Sequence, residues 1–375
     1  MLEHKVAIVG GGLAGLTLSI LLKRIGYDVD LYERKSYPFH RVCGEYISNE
    51  VQDLIKHLEI DLSEHNVSNI QNLKVTDTKN NVLEAKLDLG GFGISRYLLD
   101  DLLYKKAVEK GVNFYLNTKV RSIDYNNQKD NFKVESDAGE QIYNFVIASF
   151  GKRSTLDTVL NRAFIKKRSP YLAVKYHIKL DFPHDLIQLD NFENGYCGIS
   201  KIEEDKYCMC YLSHRDNLKN YKSIPEMEKN ILFKNKFIKN HFESAEFLYE
   251  EPLVINEISF EKKNLIENHV LFCGDAAGMI TPLCGNGMSM AMHAAYILSK
   301  SFEEFKFHKN RSLLENTHKR NWELQFNRRI YWGLKIQNLF GNLSTTAIAL
   351  KMLNKSGALK NYIISLTHGK NIKIT

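Results

Sequence analysis

The strongest constraint on this 375-residue chain lies near its start, where an apolar run, Lys5 to Val9, ends in Gly10-Gly11-Gly12-Leu13-Ala14-Gly15. Leu, Ile and Ala then recur at helical spacing from Leu13 to Ile25, Gly26 stops the helix, and Tyr27 to Tyr32 alternates as a second strand. This is a βαβ unit of about thirty residues, the size of a nucleotide-binding half-fold. Gly10 permits the tight turn, Gly12 lets backbone approach a pyrophosphate, and Gly15 lets the helix pack closely on the sheet. The helix start at Leu13 and Ala14 offers unpaired N–H groups and a positive dipole end to phosphates. Glu33 closes the second strand, where a carboxylate accepts hydrogen bonds from ribose hydroxyls. Alone, these residues specify a dinucleotide and leave NAD and FAD equally open.

Composition narrows the partners. A formal charge of +7 favours an anionic ligand and would also suit nucleic acid or an acidic membrane surface. No dense Lys/Arg patch interleaved with aromatics occurs, nor any nucleic-acid motif, so no nucleic-acid partner is expected. With 44% hydrophobic residues the chain can bury the core of two domains, or of one with an insertion. Cys43, Cys197, Cys208, Cys210, Cys273 and Cys284 form no CxxC pair or regular framework, so reduced thiols of a cytoplasmic protein are expected. The first residues superficially resemble a signal peptide, but three glycines interrupt the apolar run and no small-residue cleavage site follows before Lys23. No stretch reaches the roughly 18 uncharged apolar residues of a membrane span, so the expectation is a soluble or membrane-peripheral protein. The histidines show no HExxH pair, His293 on an apolar helix reads as core, and no metal is expected.

Further along, Ser48 caps a helix running to His57, and strand signals follow at Asn69 to Thr76 and Val82 to Leu87. Arg96 to Lys110 is an amphipathic helix with Leu98, Leu99, Leu102, Leu103 and Ala107 inward. Short strands return at Val112 to Leu116, Phe132 to Glu135 and Phe145 to Ser149. Alternating strands at Leu172 to Leu180, Tyr196 to Ile202, Lys206 to Leu212 and Pro252 to Phe260 describe an antiparallel sheet, interrupted by a polar helical stretch near Ile224 to Phe242. His269 to Cys273 is a buried strand, and beyond Gly287 the chain is helical almost to its end. The domains are therefore interleaved. Residues 1–75, 96–165 and 263–305 make up the nucleotide-binding domain, 76–95 and 166–262 the antiparallel one, and 306–375 C-terminal helices.

A second motif, Cys273-Gly274-Asp275-Ala276-Ala277-Gly278, is followed by Pro282 and by Gly285-Asn286-Gly287 at the head of a long helix. Together with the N-terminal glycines it resembles the flavoprotein superfamily of single-component aromatic hydroxylases and geranylgeranyl reductases, across most of residues 1–300. The resemblance implies an α/β fold in which a Rossmann-like FAD-binding domain is interleaved with an antiparallel-sheet substrate domain and followed by a helical C-terminus. It implies FAD as cofactor, with Asp275 holding a ribityl hydroxyl and N–H groups around Gly287 and Met288 stabilising negative charge on the reduced ring. It nominates Arg34, Arg41 and Arg96 as FAD contacts, the last in Arg96-Tyr97-Leu98-Leu99-Asp100, against the plainer reading of solvated arginines. Thr118-Lys119-Val120 resembles the strand that meets the adenine through its backbone, which nominates Val120.

Three departures bear on activity. Aromatic hydroxylases of this fold carry Asp-Gly where this chain has Phe150-Gly151, which leaves the electron donor open. NAD(P)H docking transiently and a partner protein delivering electrons are the two options, since no second nucleotide motif is present. Gly195-Tyr196-Cys197-Gly198-Ile199-Ser200 occupies the place of the prenyl-substrate motif without its Trp and Pro, and the tryptophan-rich halogenase motif is absent. Cys43-Gly44-Glu45 resembles the loop beside the flavin in reductase-like members. That makes Cys43 a catalytic candidate, shaping the site or helping proton delivery, against a small buried residue; an acid role needs an electropositive setting. The sequence leans to a reductase of C=C bonds in a hydrophobic, isoprenoid-like substrate. A monooxygenase hydroxylating an aromatic or polyketide ring is the alternative, and a non-catalytic flavin-binding regulator a third. Thr345 to Leu353 is read as packing, covering the pocket or touching a membrane.

Overall fold

In the computed structural model, which describes residues 4–367 and 369–374, the βαβ unit folds as its periodicity requires. Strand Lys5–Val9 pairs in parallel with Asp28–Tyr32 on one side and Phe145–Ala148 on the other. The sheet extends to Asn113–Tyr115 beyond the second strand, and to Val270–Phe272 and then antiparallel Ile266–Glu267 beyond the third. Strands so buried on both faces need continuous apolar runs, and Val6, Ala7, Ile8, Val146, Ile147 and Ala148 are wholly inaccessible. The helices Leu13–Arg24 and Gly287–His308 pack against each other, with Gly26 at φ +81° ending the first.

The second sheet holds nine strands among the described residues, in the order 246–247, Tyr171–Lys179, Tyr207–His214, Gly195–Lys201, Leu186–Phe192, Ser68–Thr76, Val82–Gly93 and Tyr46–Ser48, with Leu253–Ile258 also pairing Tyr171–Lys179. One face carries Leu172, Val174, Tyr176 and Ile178 under the helices Ile224–Asn230 and Lys236–Ser244. The other carries Ala173, Lys175 and His177 and looks toward the cofactor domain, where Ala173, Tyr196 and Leu212 pack on Met279 and Leu283. Tyr46–Ser48 and Ser68–Thr76 lie within the span assigned above to the nucleotide-binding domain, yet they hydrogen-bond into this sheet. Long-range pairing, which local periodicity does not encode, decides their membership.

The polar helical stretch at 224–242 divides at Asn235, whose side chain caps the second helix by accepting from Phe237 N–H. Strands Val120–Asn126 and Gly139–Tyr143 join Asn131–Ser136 in a small three-stranded sheet, and none of the strand signals read from the sequence covers those two or Leu186–Phe192. The C-terminal half ends in the helices Gly287–His308, Arg311–Phe340, Leu343–Lys355 and Gly357–Ser365. Among the described residues no helix is long and apolar enough to cross a membrane.

Candidate functional site

The two glycine motifs, far apart in sequence, touch. Gly274 packs on the first helix so closely that a Cβ there would lie 2.7 Å from the Ala14 methyl, and its φ of +63° lies in the left-handed region that favours glycine. Gly10, at φ +109°, is equally constrained, since a Cβ would meet Phe150 Cα and Ser149 O at 2.6 Å. Around the helix starts the space is open. The nearest atom to a Cβ on Gly12 is Arg96 Nη2 at 3.7 Å, and a Cβ on Gly287 would meet nothing within 4 Å. Neither helix has a side-chain cap, so first-turn N–H groups at Leu13, Ala14, Gly287 and Met288 have no such partner. A narrow crevice lined by Gly274, Asp275, Gly287 and Trp322 runs between the second motif and the start of the long helix. An uncapped pair of helix starts facing glycine-lined space fits an extended pyrophosphate-bearing cofactor.

Glu33 is buried, and its carboxylate accepts from Gly11 N–H at 2.9 Å and from Arg41 Nη2 at 3.2 Å. Thr118 N–H donates to the Glu33 carbonyl, which brings the segment leading to buried Val120 beside this carboxylate. Arg41 Nε reaches Asp100 at 3.0 Å, and Arg96 binds the same carboxylate through Nε and Nη2, both at 2.7 Å. Burial opposes the charge on Arg96, but Asp100 more than compensates and keeps it protonated. Asp100 is fully buried and orients both candidate arginines; the sequence displayed it only as the last letter of the Arg96 motif. Arg34 is exposed and makes none of these bonds.

Two buried cations clamp the Asp275 turn from behind. Lys263 Nζ donates to the carbonyls of Asp275 (2.7 Å) and Lys152 (2.8 Å), and burial pushes its ammonium down to about 8 against the pull of Asp275 and Asp157. Arg162 donates to the Ala276 carbonyl at 2.9 Å, to Asp157 at 3.0 Å and to the Asn264 carbonyl at 2.7 Å, and its guanidinium stacks 3.7 Å from the Phe272 ring centre. Neither residue was singled out by sequence pattern, because each acts through backbone carbonyls rather than through a spaced motif. At the head of the long helix, the Asn286 side chain donates to Thr367 O, and Gly285 lies against the Tyr46 ring. His293 is buried with its Nδ1 unpartnered, and burial pushes it down to about 4, in keeping with a core residue.

Cys43 is half-buried, and its carbonyl accepts from the Cys208 thiol at 3.3 Å. Next to it, Glu45 is fully buried at φ +56°. Its carboxylate accepts from Lys175 and from Arg96 N–H at 2.8 Å, and lies 2.5 Å from His177 Nε2. Burial works against this carboxylate, but Lys175 and His177 prevail and hold it down to about 2. Tyr249 hydroxyl sits 2.7 Å from His177 Nδ1 and 3.1 Å from His40 Nδ1. Burial pushes the Cys208 thiol up, and that of Cys210 up to about 12. Glu45, His177 and Cys208 also place three metal-capable atoms within 4.8 Å of one another, although the Lys175 ammonium already neutralises the carboxylate. The sequence flagged Cys43 in this group; its partners come from distant strands whose alternation marked them only as sheet residues.

The family described as FAD binding domain matches residues 3–321. Conditioned medium factor receptor 1 of Dictyostelium discoideum is 22% identical over 332 residues; the match covers 79% of this chain and 62% of that protein. The chain thus spans less than two thirds of that relative. Kynurenine 3-monooxygenase of Cryptococcus neoformans is 22% identical over 354 residues, covering 80% of this chain and 69% of the relative. Among solved structures, the flavin-dependent halogenase CmlS superposes with a TM-score of 0.79 at 19% identity, covering 96% of this chain and 72% of the other. A geranylgeranyl bacteriochlorophyll reductase-like protein of Thermoplasma acidophilum superposes with a TM-score of 0.75 at 14% identity, covering 99% and 93%.

Proposed function

Because the chain belongs to the FAD binding domain family, an FAD-dependent oxidoreductase group, we propose that it is a monooxygenase acting on a small aromatic substrate that carries polar groups. The observation that carries this reading is the wall facing the cofactor domain. Lys175, His177 and Glu45 lie buried there beside Cys43, Cys208 and Cys210, a polar and ionised surface unlike a channel for a long isoprenoid chain. The similarity to a kynurenine 3-monooxygenase supports the same choice.

In this reading, Leu13 and Ala14 N–H groups and the Arg41–Arg96 pair hold the pyrophosphate, Glu33 a ribose, Val120 the adenine, and Asp275 the ribityl chain. Gly287 and Met288 N–H groups face the ring. Bound FAD supplies two-electron redox chemistry. The protein's share is to orient the substrate, exclude water and deliver protons. A nicotinamide donor docking transiently is proposed as the electron source, because the match extends over one nucleotide-binding unit. The exposed Arg34 is left as a solvated side chain. A second reading, reduction of an activated C=C bond, is favoured by the Cys43-Gly44 loop and by the fold shared with the reductase-like protein.

The test is direct. Purified protein should be yellow and should consume oxygen in step with a hydroxylated aromatic product when given NADH or NADPH. Oxidation of the reduced protein by a polyene under anaerobic conditions, without oxygen-dependent product from any aromatic, rejects the monooxygenase in favour of the reductase.

A further inference from the structure

We infer that His40, Tyr249, His177 and Glu45 form a proton path from the protein surface to Lys175 beneath the Cys43 loop, and that it supplies the proton each turnover consumes. The inference rests on the oxidoreductase reading but not on the choice between its two forms. With a nicotinamide as two-electron donor, hydroxylation takes NAD(P)H, H⁺, O₂ and R–H to NAD(P)⁺, R–OH and water. Reduction takes NAD(P)H, H⁺ and C=C to NAD(P)⁺ and CH–CH. Each consumes one proton from solvent, so a site walled from water needs a route for it.

The links are continuous. His40 is half-buried and stacks on Tyr97, itself 41% exposed, with ring centres 4.6 Å apart, so the outer end reaches solvent. Tyr249 hydroxyl bridges His40 Nδ1 and His177 Nδ1. His177 Nε2 meets Glu45 Oε2, and Glu45 Oε1 meets Lys175 Nζ, which also donates to the Arg41 carbonyl at 3.1 Å. Because Glu45 is held ionised, it accepts from His177 Nε2–H, which leaves Nδ1 to accept from the Tyr249 hydroxyl. A proton arriving at His40 passes to the Tyr249 oxygen while the tyrosine proton passes to His177. The Nε2 proton moves to Glu45 and on to Lys175 as the ammonium gives one of its own to the reacting substrate, where it ends in the water or the C–H bond of the balanced equations. One proton enters for each that leaves, and no net charge accumulates.

Three observations separate this from an ordinary buried ion pair. Glu45 is held in the left-handed region, a strained conformation for a non-glycine residue and one concentrated at functional sites. Tyr249 hydroxyl, both His177 nitrogens and both Glu45 oxygens are hydrogen-bonded in one unbroken line, through residues from three segments that meet only in the fold. A hydrophobic pair would pack this wall more cheaply than buried charges do. The ionisable groups facing the chain are Lys175 and His177 on one strand, Cys208 and Cys210 on the next, and Cys43 and Arg96 on the cofactor side; Glu203 and Lys206 act on its outer end.

Tyr249→Phe removes one hydroxyl at the middle of the path and leaves the Glu45–Lys175 pair intact; His40→Asn cuts the outer end. Both variants should bind FAD and unfold like wild type, turn over about tenfold or more slowly near neutral pH, and recover rate with added imidazole. In flavin-free, ¹⁵N-histidine-labelled protein at fixed pH, Tyr249→Phe should move the Nδ1 resonances of both His40 and His177, because each loses its hydrogen bond to the hydroxyl. Unchanged turnover in both variants, or Nδ1 resonances indifferent to Tyr249, would overturn the path. So would stoichiometric zinc bound by Glu45, His177 and Cys208. Wild-type protein that takes up no FAD overturns the oxidoreductase reading instead, and the Nδ1 resonances still report whether the hydrogen-bonded links exist.

Discussion

Replacing Gly274 by alanine tests whether the contact between the two motifs holds the cofactor cradle together. The added methyl incurs two separate costs. A non-glycine residue at φ +63° loses about 1–2 kcal/mol. Its Cβ, placed 2.7 Å from the Ala14 Cβ, forces either the Gly274–Ala276 turn or the first helix to retreat, an overpacking cost of about 1–3 kcal/mol. Urea unfolding of flavin-free protein should therefore show a loss of about 2–5 kcal/mol, and FAD should bind more weakly because Asp275 moves with the turn. Ala14→Gly makes room for the new methyl at its own helix cost of about 1 kcal/mol. The double variant should then recover the overpacking part, so that the two substitutions couple favourably by about 1–3 kcal/mol. A single variant as stable as wild type, or a cycle with no coupling, refutes the reasoning that the Ala14 methyl requires glycine at 274.

Asp100→Asn should loosen both arginines and raise the FAD dissociation constant by about tenfold, roughly 1.4 kcal/mol, in a fluorescence titration; an unchanged constant removes the pair from cofactor binding. Arg162→Met leaves Asp157 buried without its partner and frees the Ala276 carbonyl, so unfolding free energy should fall by about 3–5 kcal/mol. Acid should weaken the fold in two stages. His318 is buried and pushed down to about 4, so the folded state resists a proton that the unfolded chain takes up near 6.5; stability is lost as pH falls from about 6.5 to 4, by up to about 3 kcal/mol. Glu45, held down to about 2, contributes stability that is present above about 4.5 and lost as pH falls from there to 2. Urea midpoints measured from pH 8 downward check both; burial pushes His293 and His40 down to about 4 as well, so His318→Gln should shrink the first stage without abolishing it.

The cofactor domain was legible because its demands are local. Gly10, Gly15 and Gly274 sit where backbone must turn or approach closely, Gly12 and Gly287 leave the two helix starts open, and the apolar runs around them name the strands. What escaped was written in long-range polar pairing. Strand Leu186–Phe192 does not alternate cleanly because it is buried on both faces, with Gln188 and Asp190 on one and Asn191 on the other; Asp190 accepts from Thr76 at 2.5 Å and Asn235 donates to Thr76 and to the Asn191 carbonyl. Val120–Asn126 and Gly139–Tyr143 are short strands with mostly exposed faces, and so carry little apolar signal. Lys175 and His177 looked like the polar half of an alternating strand. Only the fold shows that this half is also buried, against Glu45 from a loop 130 and 132 positions away.

The Asn286 side chain rests on the carbonyl of Thr367, 81 positions later, while Ile372 N–H donates to the Glu50 carbonyl and Arg329 pairs with the Glu50 carboxylate. A chain emerging from the ribosome therefore assembles its first glycine turn early and its cofactor-facing helix start last. The Asn286 side chain gains its partner at the head of that helix only after Thr367 and Ile372 have left the exit tunnel and folded back onto Asn286 and Glu50. A nascent chain stalled before that point would hold both glycine motifs and still lack the latch that seats the second.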